Sequence, residues 1–311
     1  MWRLKIKIWG DIMTADITAL PQVRGTYKLK EPLSRHTWLN VGGPADVMFM
    51  PADEADLQEF IRQKNPQTDV FVIGGGSNLL VRDSGIAGVV IKLSDKNFAQ
   101  CQIDGSRLYC GAGCSNFALK NIVSANGLGG LEFLCSIPGT LGGAMRSNAG
   151  CFGSDMSKVL VSARVIDGNG RVFEVANEDF HFAYRYSDFP ADWIVLEVCL
   201  SFEKRDVDVV RAQIAQNEEY RRAHQPQGIK TAGSTFKNPE GTAAWKLIKE
   251  AGGDTFVFGK AKMSAVHCNF LHNEGTSASD VENLCRAVQQ AVKQKSGIDL
   301  ETEVKIVGRE Q

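Results

Sequence analysis

The chain has 311 residues, and its 35 Lys and Arg against 36 Asp and Glu leave a formal net charge of −1 at pH 7. With 43% hydrophobic and 23% charged residues it has an ordinary soluble composition, and its length predicts two domains. Because it has no Lys/Arg block and no apolar run long enough to span a bilayer, we expect neither nucleic acid nor membrane as a partner.

The first 24 residues are predicted to form an N-terminal extension, of which the first twelve are expected to be poorly ordered. The opening MWRLKIKIWGD alternates apolar and basic residues and lacks the apolar segment and the cleavage site of a signal peptide. Met13 is a second candidate for the start of the chain. We therefore expect a cytoplasmic protein.

Cysteine and histidine spacing predicts neither disulfides nor a metal centre. The eight cysteines form no CxxC pair, and the five histidines form no HxxxH or HExxH pair. Without a secretory signal, the cysteines are expected to be reduced thiols. We predict no metal site.

The first two thirds of the chain are predicted to alternate strands with short helices. The segment PADEADLQEFIRQK places its apolar residues on one helical face, and strands are expected at 70–73 and 89–93. In SNFALKNIVSANG, Ser115 is the expected N-cap of a helix and Gly127 its end. The segment VSARVIDGNGRVFEV alternates on both sides of DGNG and predicts a hairpin.

The last third is predicted to be mainly helical, with a domain boundary near residues 203–206. Helices are expected in VDVVRAQIAQNEEYRRAH, in AAWKLIKEAGG and in TSASDVENLCRAVQQAVKQKSG. In the last of these, Ser277 and Asp280 resemble a capping box and Gly297 ends the helix. ETEVKIV is the expected final strand.

Two glycine-rich loops in the first domain require an explanation. One is VFVIGGGSNLLV, and the other is GGLEFLCSIPGTLGGAMRSNAGCFG, which holds seven glycines. Glycine backbones allow a ligand to approach closely, and successive outward N–H groups bind phosphate. Leu79 occupies the position of the third glycine of a dinucleotide-binding GxGxxG, and no GK[ST] of a Walker A loop occurs. Tight turns without any ligand remain an alternative at this point.

Six segments in order resemble one known family. They are HTWLNVGGPADVMF, VIGGGSNLLV, GLEFLCSIPGTLGGAMRSNAGCFG, FAYRYSDF, AGSTFKNPEGTAAWKLIKEAG and LETEVKIVG. Together they are similar to the UDP-N-acetylenolpyruvoylglucosamine reductase (MurB) family over residues 28–309. The resemblance implies a monomeric, cytoplasmic flavoenzyme that holds FAD noncovalently, takes hydride from NADPH and acts on a nucleotide-sugar.

The resemblance also implies an α+β fold with two domains. Residues 25–204 would be an FAD-binding domain of the vanillyl-alcohol-oxidase type. Residues 205–311 would be a smaller substrate-binding domain, with the final strand near the active site. The implied cofactor-binding residues are Val41, Gly42, Gly43, Gly74, Gly75, Gly76, Ser77, Asn78, Leu79, Ile137, Pro138, Gly139, Thr140, Gly143, Asn148, Ala149 and Gly150. Cys135 and Cys151 lie in the second loop and are interpreted as packing thiols.

The reaction that the resemblance implies reduces an enolpyruvyl ether to a lactyl ether. Ser234 would donate a proton to the carbanion, Arg185 would hold the substrate carboxylate, and Glu303 would stabilise the intermediate. Without the resemblance, Ser234 would be interpreted as a turn residue and Arg185 as a solvated strand residue. The implied substrate contacts are Tyr184, Lys237 and Asn238.

Some family members cover the substrate diphosphate with an extra loop, for which this chain has no room between Phe182 and Ser201. Arg221, Arg222 and Gln225 are candidate substitutes. Two other hypotheses remain open, a flavin oxidase of the same fold and a protein that binds flavin or nucleotide-sugar without catalysis. A flavin oxidase would need a base where this sequence offers Ser234 near Lys237.

Overall fold

The computed structural model describes residues 20–93 and 95–310. Its strands are β1 (Thr26–Pro32), β2 (Pro44–Met50), β3 (Val70–Ile73), β4 (Leu79–Val81), β5 (Ile86–Lys92), β6 (Cys101–Asp104), β7 (Arg107–Gly111), β8 (Leu128–Gly129), β9 (Gly150–Cys151), β10 (Ser154–Asp155), β11 (Leu160–Ile166), β12 (Val172–Ala176), β13 (Ile194–Ser201), β14 (Glu203–Lys204), β15 (Val257–Phe258), β16 (Ala261–Met263), β17 (Leu271–Asn273) and β18 (Lys305–Val307). Its α-helices are α1 (Glu54–Gln63), α2 (Asp95–Phe98), α3 (Asn116–Asn126), α4 (Leu141–Arg146), α5 (Val207–His224), α6 (Ala244–Glu250) and α7 (Ala278–Ser296).

A mixed sheet and an antiparallel sheet enclose the main hydrophobic core. The mixed sheet has the order β1-β2-β5-β3, with β2 and β3 parallel to β5, and the antiparallel sheet has the order β12-β11-β13-β7-β6. Val47 and Phe49 on β2 face this core, whereas Met48 faces a smaller cluster on the other side of the strand. This alternation buries β2 on both faces, as is usual for an interior strand.

Local capping signals are confirmed where the sequence predicts them. Ser115 accepts a hydrogen bond from the backbone N–H of Ala118, and Gly127 ends α3 in the left-handed region. Ser277 accepts from Asp280 N, and Gly297 ends α7 in the same way. The predicted DGNG hairpin is formed by β11 and β12.

Helix α5 packs differently from the prediction. The predicted domain boundary near residues 203–206 assigns α5 to the second domain. Val210 and Ile214 instead belong to the main core, and Glu218 forms an ion pair of 2.5 Å with Lys120 on α3. This packing supports a boundary near residue 225, because the apolar face of α5 is buried against α3.

Residues 20–24, the last part of the predicted extension, contact the rest of the fold. Leu20 and Val23 pack against the main core, the carbonyl of Pro21 accepts a hydrogen bond from Tyr27, and Arg24 N donates to Asp56. The rest of that prediction, including Met13, lies outside the described residues.

A second core lies in the C-terminal part. Helices α6 and α7 pack with the sheet β15-β16-β17, and Leu39, Val41 and Leu80 from the N-terminal half complete this core. The final strand β18 is shorter than predicted and pairs in parallel with β4. None of the helices in the described part of the chain has the length and apolarity needed to cross a bilayer.

Candidate active site

The glycine loop between β3 and β4 lies directly against the turn that precedes α4. Ser77 Oγ donates to the carbonyl of Pro138 at 2.9 Å. A Cβ added to Gly75 would lie 2.8 Å from Gly139 Cα, and one added to Gly74 would lie 2.6 Å from Thr140 Oγ1. Glycine is required in this loop because another side chain would force the two segments apart.

The segment Val41–Gly43 lies against the end of β4, the strand that follows this loop, and Trp38, which precedes the segment, contacts the loop itself. Trp38 N donates to Gly76 O at 3.0 Å, and Gly43 N donates to Arg82 O at 3.0 Å, immediately after β4. The predicted cofactor segments at 41–43, 74–79 and 137–140 are therefore brought together.

Asn116 is a residue of this cradle that the sequence prediction missed. Its side-chain Nδ2 donates to Ile137 O at 3.0 Å, and its backbone N donates to Gly139 O at 3.1 Å. The residue is fully buried, and its Oδ1 has no hydrogen-bond partner among the described residues. A polar residue in the first turn of a helix is common, so the sequence carries no signal for this role.

Asn148 connects the second glycine loop to the turn that carries Arg185. It is buried with φ 44°, its Nδ2 donates to Ala183 O at 2.8 Å, and its Oδ1 accepts from Ser157 N at 3.0 Å. Ala183 and Tyr186 exchange backbone hydrogen bonds of 3.0 and 3.1 Å, which closes a turn around Tyr184 and Arg185. The segment is thus a tight turn, and Arg185 is not the strand residue that its sequence pattern alone suggested.

The Arg185 guanidinium joins two segments that are distant in sequence. Nη2 donates to Gly150 O at 2.7 Å, and Nε donates to Glu303 Oε1 at 2.8 Å. The guanidinium also lies 5.1 Å from the ring centre of Tyr184, which is itself exposed. Since a guanidinium carries five N–H donors, others remain for a ligand.

Glu303 lies between the glycine cradle and the segment that carries Ser234. Its backbone N donates to Thr235 O at 2.9 Å, and its carbonyl accepts from Asn78 Nδ2 at 3.0 Å. The pKa of the Glu303 carboxyl is raised by burial, although the charge of Arg185, its hydrogen bond and the more distant charge of Lys237 act in the opposite direction. Its side chain is 17% exposed.

Ser234 follows Gly233, whose φ of 77° forms the turn, and its backbone bridges Phe270. Within the described residues, the Ser234 hydroxyl makes no hydrogen bond to another protein group. It is half-buried, so the hydroxyl remains available to a ligand. It precedes Thr235, the residue that binds the Glu303 backbone.

The predicted substrate residues Lys237 and Asn238 both have partners within the protein. Lys237 Nζ forms an ion pair of 2.6 Å with Glu301, and Asn238 Oδ1 accepts from Ala244 N at 3.0 Å, at the start of α6. The sequence prediction did not identify the capping role of Asn238. Only its Nδ2 remains for a ligand.

Arg221 approaches the Arg185 end of the site. Burial lowers the pKa of Arg221, and the thiol of Cys151, next to Gly150, is among its neighbours. Arg221 Nε donates to Gln225 Oε1 at 3.1 Å, whereas Arg222 is exposed. Cys135 is fully buried, and Cys151 Sγ donates to Phe133 O at 3.5 Å, so both contact protein groups.

The cradle fits a cofactor that needs close approach to the backbone. Gly74, Gly75 and Gly76 have no space for side chains, and the loop lies between β3 and β4, where its amide groups are not part of either strand. A pyrophosphate suits such a set of backbone donors.

Comparisons with known proteins agree with this arrangement. A family model described as FAD binding domain matches residues 45–176, and another, described as UDP-N-acetylenolpyruvoylglucosamine reductase, C-terminal domain, matches residues 225–307. The reductase of that name from Nitrobacter hamburgensis is 41% identical over 97% of this chain and 100% of its own length, and that of Caulobacter sp. strain K31 is 43% identical over 94% and 98%.

A solved structure gives the same result. The chain is similar to the crystal structure of UDP-N-acetylenolpyruvylglucosamine reductase from Thermus caldophilus, with a TM-score of 0.79 and 33% identity over 92% of this chain and 99% of that one. The predicted combination of an FAD-binding domain with a smaller C-terminal domain is confirmed.

Proposed function

The chain belongs to the UDP-N-acetylenolpyruvoylglucosamine reductase family, and on this basis we propose that it reduces the enolpyruvyl ether of UDP-N-acetylglucosamine enolpyruvate. The product is the lactyl ether UDP-N-acetylmuramate, a precursor of peptidoglycan. The chain is an FAD-containing oxidoreductase, in agreement with the match to the FAD binding domain. We further propose NADPH as hydride donor, and a monomeric enzyme in the cytoplasm.

The observation that carries the proposal is the network around Glu303. Its backbone is bonded to Asn78 of the glycine cradle and to Thr235 beside Ser234, and its carboxylate is bonded to Arg185. A cofactor cradle, a guanidinium and a free hydroxyl therefore lie on one connected framework. Rigid support of this kind is what an active site requires.

The glycine cradle at 74–78 and the turn at 137–140 would hold FAD, which would supply the redox chemistry between NADPH and the methylene carbon of the substrate. Negative charge then develops on the neighbouring carbon and on the carboxylate attached to it. We assign Arg185 to that carboxylate, because N–H groups not used by Gly150 and Glu303 can bind it. Because these donors are already fixed in position, stabilising the new charge costs little reorganisation free energy.

We assign the proton transfer to Ser234. Among the residues that the structure describes, its hydroxyl has no protein partner, and the acceptor carbanion is basic enough for a serine to act as the acid. We assign the stabilisation of the intermediate to Glu303, whose carboxylate accepts a hydrogen bond from Arg185 Nε and so fixes the guanidinium beside the developing charge.

We assign the nucleotide-sugar to the groups around this framework. The segment that carries Ser234 also provides Lys237 and Asn238 Nδ2. The exposed ring of Tyr184 lies next to Arg185. For the diphosphate, Arg221 is the strongest of the predicted substitutes, since it is close to Cys151 and hence to Gly150. The more exposed Arg222 and its neighbour Gln225 are secondary candidates.

Ser234→Ala separates the two half-reactions. We expect NADPH to reduce the flavin at a rate close to that of the wild type, because Ser234 takes no part in that transfer. Reoxidation by the enolpyruvyl substrate should fall by roughly two to four orders of magnitude, the usual contribution of a general acid. Stopped-flow absorbance of the flavin measures both rates.

The matched control is Ser124→Ala, in which the lost hydroxyl donates to Asn121 O within α3, away from the site. It should leave both rates unchanged. Equal slowing of both half-reactions in Ser234→Ala would make Ser234 a structural residue. Failure of the wild-type enzyme to be reoxidised by the substrate would refute the proposed function.

A further inference from the structure

Cys101, Cys110 and Cys114 form a thiol cluster at the edge of the five-stranded sheet. Cys101 on β6 and Cys110 on β7 are register partners, and Cys114 follows β7 by three residues. The Sγ atoms of Cys101 and Cys114 are 3.6 Å apart. A disulfide bond of about 2.05 Å would require them to approach by about 1.5 Å.

The three thiols differ in access and in acidity. Cys110 and Cys114 are buried, whereas Cys101 is partly exposed on the edge strand. Hydrogen bonds from Cys101 and Cys110 lower the pKa of Cys114, which favours its thiolate, whereas contact with Cys114 and burial raise the pKa of Cys101. A thiolate next to a resolving thiol is an arrangement of redox-sensitive cysteine pairs, and Cys101 gives this pair its exposure to solvent.

The cluster is directly connected to the cofactor cradle. The carbonyl of Cys114 accepts a hydrogen bond from Leu141 N at 2.9 Å, and that of Ala112 accepts from Gly142 N at 2.9 Å. The next residue, Ser115, bridges Thr140 of the cradle. Movement of Cys114 would therefore shift the start of α4 and the turn at 137–140.

We propose that Cys101 and Cys114 form a dithiol site that peroxide oxidises to an intramolecular disulfide, and that this disulfide weakens the binding of FAD. The Cys114 thiolate attacks one oxygen of hydrogen peroxide, which breaks the O–O bond and gives a Cys114 sulfenic acid and hydroxide. The Cys101 thiol then attacks the Cys114 sulfur, and the hydroxyl group leaves as water with the proton of Cys101. The hydroxide takes up the proton that Cys114 lost when it became a thiolate. Both thiols are oxidised, and one peroxide is reduced to two molecules of water.

The test uses the reduced wild-type holoprotein treated with increasing hydrogen peroxide. After free thiols are alkylated, digestion without reductant followed by mass spectrometry should find a peptide that links Cys101 to Cys114. Flavin fluorescence should show a Kd for FAD about three- to tenfold weaker in the oxidised protein, the effect of about one lost hydrogen bond. Dithiothreitol should reverse both changes.

Serine variants assign the two sulfurs. Cys114→Ser should abolish the linked peptide, whereas Cys110→Ser should retain it. Cys268→Ser is the matched control, because that partly exposed thiol donates to Trp245 O far along the chain from the cluster, and it should behave as the wild type.

Over-oxidation of Cys114 without a link, or a link to another cysteine, would overturn the proposal. A Cys101–Cys114 link with an unchanged FAD Kd would overturn its coupling to the cofactor. The decisive measurement is the linked peptide from the wild-type protein, so the test stands even if a serine variant fails to fold. The measurement also requires no turnover of the nucleotide-sugar. The disulfide proposal would therefore stand even if the protein failed to catalyse the proposed reaction.

Discussion

Arg185 has a backbone conformation that few arginines adopt. Its φ of 55° is in the left-handed region, where a residue with a Cβ is strained by about 1–2 kcal/mol. The hydrogen bonds of Ala183 with Tyr186, and those of the guanidinium with Gly150 and Glu303, hold this conformation. Strain kept in place by so many contacts is typical of functional residues.

Asn116 supports the cofactor cradle, a role that the sequence alone does not reveal. In Asn116→Ala, the hydrogen bond to Ile137 O is lost inside a buried site, whereas the backbone bond to Gly139 O remains. One such bond is worth about 0.5–1.5 kcal/mol, so the Kd for FAD should rise about 2- to 13-fold. Titration of the apoprotein with FAD, followed by flavin fluorescence, measures this Kd.

The matched control for this change is Asn126→Ala at the other end of α3. Asn126 Nδ2 donates only within the helix, to Ile122 O at 2.9 Å. Its removal should change the free energy of unfolding slightly and leave the FAD Kd unaltered. If both variants bind FAD as the wild type does, the turn at 137–139 does not depend on the Asn116 side chain.

At the level of elements, caps were predictable from the sequence and packing partners were not. Ser115 and Ser277 were identified correctly because an N-cap acts on backbone groups two or three residues away. Helix α5 was also predicted, but the sequence of its apolar face does not show which surface buries it, and its Val210 and Ile214 lie in the main core. Helical periodicity shows which face of a helix is apolar, but it does not show which part of the protein packs against that face.

The same limit applied to the site. The glycine loops were recognisable because three consecutive glycines indicate close backbone approach, and the resemblance supplied the remaining residues. The contact of Arg185 with Glu303 joins residues 118 positions apart, a separation at which spacing carries no information. The cap formed by Asn238 was missed for a different reason: a proline and a glycine follow it, which suggest a loop rather than a helix start.

Gly75 tests whether the contact between the two glycine loops positions the cofactor. In Gly75→Ala the new Cβ would meet Gly139 Cα at 2.8 Å, and this backbone contact cannot be relieved by rotating a side chain. We expect the loops to separate and FAD affinity to fall at least about fivefold, because overpacking of this kind costs about 1–3 kcal/mol. The flavin content of the purified protein and the FAD Kd measure the effect.

Gly105→Ala is the control for that substitution. Gly105 has φ 55° in the turn between β6 and β7, and an added Cβ would have nothing within 4 Å. It should lower the free energy of unfolding by about 1 kcal/mol through backbone strain, with FAD affinity unchanged. A Gly75→Ala protein that keeps full flavin content would show that the loops can move apart without losing the cradle.

At the scale of the whole molecule, the two cores are fastened together beside β4. Strand β4 pairs with β18, and Asp83 accepts hydrogen bonds from Ala278 N and Ser279 N at the start of α7. Arg82 binds Glu282 on α7 through Nε and Nη2 at 3.0 and 3.1 Å. These contacts fix the position of β18, and through it that of Glu303, relative to the glycine cradle.

Glu282→Gln tests this attachment by stability and by pH. The Glu282 carboxylate is only 10% exposed, and it binds Arg82 through both oxygens. Charge-assisted hydrogen bonds of this kind are worth more than exposed ones, so the free energy of unfolding at pH 7 should fall by about 1–3 kcal/mol. The half-exposed pair of Lys262 and Glu274 is the control, and Glu274→Gln should cost about 0–1 kcal/mol.

The pH dependence follows from the direction of the shift. The hydrogen bond and charge of Arg82 outweigh burial and hold the pKa of Glu282 below its usual range. Its stabilising effect is therefore complete above the ordinary glutamate pKa and is lost as pH falls through the lowered value in the folded protein. Urea unfolding of wild type and Glu282→Gln between pH 7 and pH 3 should show the difference shrinking below about pH 4.5. A difference that stays constant over this range would mean that the charge of Glu282 does not hold α7 against Arg82.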